Sequence, residues 1–540
     1  MCGIFAVLSA SQNDFQPSSK LKTRLINRGP DHLGHYEVAP DASRNWALSF
    51  TSTVLALRGS QLVTQPLVDE SSEQILCWNG EAWRIGERDI LHNDGAEVLK
   101  GLTDSTRDVE EFLRSIQGPF AFVFFSKTRD RLYFGRDRLG RRSLLMKQDE
   151  ASLKLSSVAD EPHEGWTEVE ADGFYTIDVQ PTFGESMSTL TRHSWTSDGN
   201  LVSGVGLFNE ELPTVKSHLS QDSPPVGQLH QHLLTSLRSR ALRVPQPPGC
   251  SEVGARLAVL FSGGLDCTVL ARLLDDIVPQ GQDIDLLNVA FENPRIRAQK
   301  PNASLDDLYE ICPDRMTGRK SFTELVTVCP GRRWRFVAVN VPYSETTAHR
   351  AEVISLIYPH QTEMDLSIAY ALYFAARGEG ICQIQPDGAS EPYSTTARVL
   401  FSGLGADELF GGYTRHATAF ARGGYAGLAD ELKLDVSRLG KRNLGRDDRA
   451  MSQWGREVRF PFLDEDLVRW AIGVPSWEKC DFENGEDEAG PEPPKRVLRL
   501  LAQKLGMNAV ALEKKRAIQF GARTAKMESG KTKGTTLVTA

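Results

Sequence analysis

The start of the chain, MCGIFAVLSA, puts a cysteine directly behind the initiator methionine. Once Met1 is removed, Cys2 carries a thiol and a free α-amino group on one residue. An unperturbed thiol titrates near ~8.5 and an α-amino group near ~7.7–8.0. At neutral pH the amine can therefore serve as a base beside the thiol. An N-terminal nucleophile that brings its own base is one route to covalent catalysis. The run GIFAVL equally fits an ordinary buried strand.

Two glycine-rich turns form the second chemical feature. In VLFSGGLDCTVLA (259–271) an apolar strand runs into Ser262, Gly263, Gly264 and Asp266, and a helix begins at once. Glycines let backbone approach an anion, and a helix N-terminus offers unpaired N–H groups and a positive dipole end. Ser262 adds a hydroxyl donor, and Asp266 suits Mg²⁺ held against phosphate oxygens. The Gly-Lys-Ser/Thr of a Walker A loop is absent, as is GxGxxG. The pattern fits a pyrophosphate-gripping loop of an adenylating enzyme. A tight turn with Asp266 as a helix cap accounts for fewer of these residues. In VLFSGLGADELFGGYTRH (399–416) a second strand meets Ser402 and Gly403, with Asp407 and Glu408 at a helix start. Asp407 beside Asp266 would complete a metal site. Capping of the helix explains the same carboxylates, and this loop alone leaves both readings open.

These residues need a scaffold, and 540 residues suggest two to three domains. Hydrophobic residues make up 40% and charged residues 25%, a soluble globular profile, and the net charge of −9 provides no basic footprint for nucleic acid or an anionic membrane. No apolar run reaches membrane-spanning length, and GIFAVL is too short for a secretory segment. The eight cysteines are scattered without a CxxC pair, so neither a zinc site nor a disulfide framework is expected. A reducing, cytoplasmic setting fits. Residues 1–200 read as β-rich, with strands in ILCWNGEAW and GPFAFVFFSKTRDRLYFGRDRLG. The aperiodic stretch 198–225 ends in Pro-Pro and reads as a linker. From 226 strands alternate with helices, as βα units require. CDFENGEDEAGPEPP (480–494) reads as a solvated loop, and 521–540 as a disordered tail.

Taken together, Cys2 and the two loops resemble the glutamine-dependent asparagine synthetases. NRGPDHLG (27–34) matches that family's RGPD element, CWNGEAW (77–83) its NGEIYN element, and FGRDRLGRRSLL (134–145) its RDxxGxxPL turn. TEMDLSIAYALYFAARG (362–378) and RFPFLDEDLV (459–468) recur in the synthetase half. VLALRGSQLVTQPL, PDRMTGRKSF and SGLGADE are similar to one branch, the asparagine synthetase domain-containing proteins. The resemblance implies an α/β protein: an Ntn-type α+β sandwich (2–197) acting as a type-2 glutamine amidotransferase domain, then a PP-loop synthetase domain (226–520). It implies Cys2 as glutaminase nucleophile and Asn79 and Gly80 as oxyanion donors. ATP would be gripped by Ser262, Gly263, Gly264, Ser402, Gly403 and Lys495, with Mg²⁺ on Asp266 and Asp407.

The resemblance has two gaps. The synthetase loop reads SGEGSDE, and its glutamate is Leu404 here, which cannot accept a proton. The family arginine that holds the glutamine carboxylate has no counterpart in FTSTVLAL, and whether nearby Arg58 replaces it is open. Asp94, in HNDGAEVL, either holds the glutamine ammonium or caps a helix. The expectation carried forward is a glutamine-hydrolysing asparagine synthetase that uses ATP, aspartate and glutamine, without nucleic acid or membrane partners, and compatible with a homodimer. The same chemistry on another carboxylate, or a nucleotide- or glutamine-binding regulator, are the alternatives.

Overall fold

A computed structural model describes residues 2–538 apart from 10–14, 39–45, 60, 151, 163–164, 180–189, 216–217, 248–253, 485–490 and 528–532. In the N-terminal half, two six-stranded antiparallel sheets face each other. One is centred on Gly3–Ser9, between Ala47–Val54 and Ser152–Ser156. The other is centred on Phe120–Ser126, between Gln74–Gly80 and Arg131–Arg136. Side chains alternate across a strand. Ile4, Ala6 and Leu8 therefore meet Ile75, Cys77, Val123 and Phe125 between the sheets. Phe5 and Val7 point the other way, into the cluster that holds Leu21 and Leu25 of the helix Ser19–Arg28. Leu76, Trp78, Phe122 and Phe124 pack under the helices Asp94–Thr103 and Val109–Ser115. Both faces of each central strand are covered, so every residue of Gly3–Ser9 and Phe120–Ser126 is buried. The expected α+β sandwich is present.

The C-terminal half is built on a seven-stranded sheet. Trp334–Val341, Ile284–Phe291, Leu257–Leu260, Val399–Phe401 and Glu457–Arg459 lie parallel in that order, and Glu379–Gln383 and Ser390–Ser394 add an antiparallel edge. From Leu257–Leu260 the chain goes first to one side and later returns on the other. Open α/β sheets bind ligands at such a switch point, beyond the carboxyl ends of the strands. Both glycine-rich loops leave the sheet there, from neighbouring strands.

The halves meet through ion pairs whose arginines are buried: Arg24–Glu352 (2.7 Å), Arg28–Asp448 (2.9 Å), Arg142–Glu457 (3.2 Å), Arg449–Glu168 (3.1 Å) and Arg459–Glu81 (2.8 Å). Removing one partner of such a pair strands the other in low dielectric, which typically costs about 3–5 kcal/mol. The interface thus demands these residues in register.

The tail 521–540 departs from the expected disorder wherever it is described. Ala522, Thr524, Met527 and Val538 are buried. Gly534 and Thr536 carbonyls accept the Met364 and Glu363 N–H groups, both at 2.9 Å, and the Val538 N–H donates to the Gln361 carbonyl at 2.8 Å. The first N–H groups of a helix have no partner within it, and the tail satisfies those of Glu363–Arg377. The connection 198–225 buries Val202, Val205 and Leu219. Of the loop expected at 480–494, Cys480 and Asp481 are buried, and its centre lies outside the described residues. Among the described residues all seven cysteines are free of disulfides, and no helix is long and apolar enough to cross a membrane.

Candidate active sites

Cys2 opens the central strand of the first sheet and is 7% exposed, at the floor of a cleft of about 40 Å³. Its backbone nitrogen donates to Asn79 Oδ1 at 2.9 Å. Asn79 belongs to Gln74–Gly80, in the facing sheet, so the sandwich itself brings the two together. Asn79 is fully buried, and among the described residues its Nδ2 has no hydrogen-bond partner. A buried amide donor left without an acceptor is costly in a folded protein. It fits an anion that forms only during a reaction. Gly80, the next residue, lines the cleft. Gln65 Nε2 lies 3.6 Å from Cys2 Sγ, and Gln65 Oε1 accepts the Trp78 N–H at 2.8 Å, which holds the amide toward the thiol. Burial pushes the Cys2 thiol above its ordinary range.

Asp94 is not the helix cap. Asn93 takes that role, accepting the Ala96 N–H at 3.0 Å. Asp94 Oδ2 instead accepts from Trp78 Nε1 (2.9 Å) and the Ala82 N–H (2.8 Å), and the residue lines the cleft over Cys2. Arg58 also lines it, but its guanidinium is held inside the protein. It donates to Glu81 Oε2 (3.0 Å), Ala82 O (3.1 Å) and Ile90 O, over the Trp83 ring. The structure therefore places Arg58 as a framework residue. Glu81 lies between Arg58 and Arg459. Burial, with Glu457 and Asp94 nearby, raises its carboxyl to about 7 against those two guanidinium groups.

The second site lies in a cavity of about 850 Å³ lined by both glycine-rich loops. Gly263 has φ +79°, and a Cβ there would lie 2.4 Å from the Gly318 nitrogen, so the turn requires glycine. Gly264 precedes the helix Leu265–Ile277, whose first turn carries Asp266, and Ser262 Oγ accepts the Gly264 N–H at 3.3 Å. Gly403 lets the second loop close on the first, since a Cβ there would come within 2.7 Å of the Asp266 Cβ. Ser402 Oγ accepts the Leu404 N–H at 3.3 Å.

Lys495 lies between the two aspartates, its Nζ 2.7 Å from Asp266 Oδ2 and 2.6 Å from Asp407 Oδ1. It is 3% exposed and holds left-handed backbone, φ 56°, with its N–H on the Phe410 carbonyl at 2.9 Å. Such strain clusters at functional sites. Lys515 reaches Asp407 Oδ2 at 2.8 Å. Burial opposes it, yet the two ammonium groups hold Asp407 well below the carboxylate range, while burial raises Asp266. The two anticipated aspartates are thus joined by one ammonium. Lys515, Gln65, Glu81 and Arg459 were not anticipated. Gln65 lies within the quoted VTQPL, but nothing in that string marks it as a thiol partner.

Asp314 lines the same cavity, with Arg516 at 3.8 Å. Burial raises its carboxyl from 3.8 to about 7. A raised acid stabilises the fold fully below the unfolded pKa and loses that contribution as pH rises through the folded value. Each unit is worth about 1.4 kcal/mol. Melting curves at pH 5 and pH 8 should therefore diverge for the wild type, and Asp314→Asn should recover about 2 kcal/mol of the loss at pH 8. Parallel pH dependence in the two proteins would rule this out.

A family model described as a glutamine amidotransferase domain matches residues 1–164, and one described as asparagine synthase matches residues 421–534. Asparagine synthetase domain-containing protein 1 of Bos taurus is 33% identical, over 99% of this chain and 97% of its own. An asparagine synthetase domain-containing protein of Saccharomyces cerevisiae is 31% identical, over 97% of this chain and 92% of its own. Asparagine synthetase (glutamine-hydrolyzing) 1 of the same yeast is 23% identical, over 89% of this chain and 77% of its own.

Proposed function

The chain belongs to the asparagine synthetase domain-containing family, and from that membership we propose that it is a glutamine-dependent amide ligase with two working sites. The observation that carries this is the double use of Asn79, whose Oδ1 holds the Cys2 nitrogen while its buried Nδ2 has no acceptor among the described residues. In the first site Cys2 Sγ attacks the side-chain amide carbon of glutamine. Asn79 Nδ2 and the Gly80 N–H meet the oxyanion, each such donor being worth about 2.7–4 kcal/mol of barrier. Ammonia leaves, and water then releases glutamate from the thioester. A free amine at Cys2 that donates to Asn79 keeps its lone pair for the thiol proton.

In the second site Ser262, Gly263, Gly264, Ser402, Gly403 and Lys495 hold the phosphates of ATP. Two carboxylates sharing one buried ammonium are an oxygen set that suits Mg²⁺. Asp266 and Asp407 are the residues that would hold it, and among the described residues no third His, Cys, Asp or Glu joins them as a metal cluster. Magnesium on Asp266 and Asp407 would neutralise charge on the departing pyrophosphate. The chain's residues orient a carboxylate toward the α-phosphate, and ammonia captures the resulting acyl-adenylate as an amide. With aspartate as acceptor the products are asparagine, AMP and pyrophosphate. The deciding assay supplies ATP, Mg²⁺, aspartate and amide-labelled glutamine, and follows label into asparagine by mass spectrometry. Glutamate release without any AMP formation would rule out the ligase.

Leu404 favours a second reading, the same chemistry on another carboxylate. It lines the cavity and packs on the core, where it can neither take nor give a proton. General acid–base help is typically worth about 10²–10⁴-fold. Asparagine formation should therefore be slow with aspartate, and Leu404→Glu should raise it at least about tenfold if the pocket accepts aspartate. Wild-type turnover near the enzyme median of about 10 per second would refute this argument.

A further inference from the structure

The cleft over Cys2 is lined by three carboxylates, Glu81, Asp94 and Glu457, and, among the described residues, by one cation, Arg58. Glu81, Arg58 and Glu457 are 2%, 7% and 1% exposed, so their charges act at low dielectric. Free glutamine brings an ammonium and a carboxylate, and both need partners once buried. Asp94 offers one for the ammonium. Its hydrogen bonds from the Trp78 indole and the Ala82 N–H both fall on Oδ2, and the residue lines the cleft. For the α-carboxylate the described lining offers one cationic side chain, Arg58. Arg58 already serves Glu81 and two backbone carbonyls, and the other oxygen of Glu81 is held by Arg459 at 2.8 Å. A substrate carboxylate at Arg58 would face Glu81 directly, and two carboxylates sharing one buried site repel.

Gln61 and Asn93 also line the cleft, and the loops that carry them approach closely, a Cβ on Gly59 lying 4.0 Å from the Asn93 nitrogen.

We propose that the amide donor cleaved at Cys2 carries a free ammonium but a blocked α-carboxylate, as does a glutamine at the N-terminus of a peptide. Cys2 Sγ bonds to the side-chain carbonyl carbon as the C–N bond breaks, and the thiol proton leaves with ammonia. Water then cleaves the thioester, returns the proton to sulfur and leaves an N-terminal glutamate. This rests on the reading of Cys2 as the amidase nucleophile.

The test uses the full-length protein with Cys2 shown by intact mass to be its first residue. Glutamine, glutamine α-amide, the dipeptide Gln-Gly and N-acetylglutamine are compared by ammonia release and product mass. The expected kcat/KM for Gln-Gly and the α-amide is at least tenfold above that for glutamine, with N-acetylglutamine inert. Asp94→Asn should lower all three amine-bearing donors tenfold or more. Glu81→Gln, where it folds, should free Arg58 and narrow the preference. Glutamine cleaved as fast as Gln-Gly overturns the proposal and leaves the nucleophile reading standing. No cleavage of any donor overturns both.

Discussion

Cys2→Ala is expected to abolish release of glutamate, or of its α-blocked equivalent, while ATP turnover driven by added ammonia continues. Removal of a covalent nucleophile can cost on the order of 10⁶-fold in kcat, so the residual rate should fall to the assay floor. The fold should survive. Cys2 N, not Sγ, carries the bond to Asn79 at 2.9 Å, and the alanine keeps that nitrogen. The strand around it stays paired on both sides, with Ala47–Val54 and Ser152–Ser156. Asn79→Ala should lose both the amine anchor and the oxyanion donor, costing at least the ~2.7–4 kcal/mol of one such donor. Mass spectrometry of active protein that shows Met1 retained would sink the α-amino group as the base. Loss of ammonia-driven turnover in Cys2→Ala would show that the two sites are not separable.

What was legible in the sequence was local. A strand, two glycines and a carboxylate before a helix are contiguous in SGGLD, and the structure places them as that order implies. Cys2 behind the initiator suggested a nucleophile but left an ordinary buried strand equally open, and it was the family resemblance that gave it a role. What residue type and spacing alone did not show depended on contacts across distance. Lys495 meets Asp266 from 229 residues away, and only a family resemblance pointed to it. Arg459 meets Glu81 across 378 residues, and no spacing signals that pair. Asp94 was ambiguous because Asn93 and Asp94 are both good caps, and the Trp78 indole that decides between them lies 16 residues upstream. The tail reads as disordered on composition, yet backbone carbonyls of any sequence can satisfy a helix N-terminus. Composition cannot register a partner that needs no particular side chain.

Asp407→Asn and Lys495→Met should move magnesium dependence in opposite directions, and this follows from one arrangement. In the structure one ammonium bridges Asp266 and Asp407, with Nζ 2.7 and 2.6 Å from the two carboxylates. Asp407→Asn leaves Lys495 its bond to Asp266, so the fold keeps a paired charge and should lose little stability. It removes one of two proposed anionic ligands, however. Changes in the outer shell of a metal site alone cost about 10–100-fold, and loss of a direct ligand should exceed that in ATP-dependent AMP formation. Lys495→Met does the reverse. It leaves two half-buried carboxylates without the ammonium between them, with Lys515 still 2.8 Å from Asp407. Stranding buried charge costs about 3–5 kcal/mol, so the metal-free variant should melt well below wild type. A ligand that binds only the folded state stabilises it by mass action. Millimolar Mg²⁺ should therefore raise the melting temperature of Lys495→Met more than that of wild type, in which the lysine competes for the same oxygens. ATP turnover should nevertheless stay low, because the phosphates have lost their ammonium. A Lys495→Met melting temperature indifferent to Mg²⁺ would mean that the two aspartates exist to hold a lysine, and that any metal binds elsewhere.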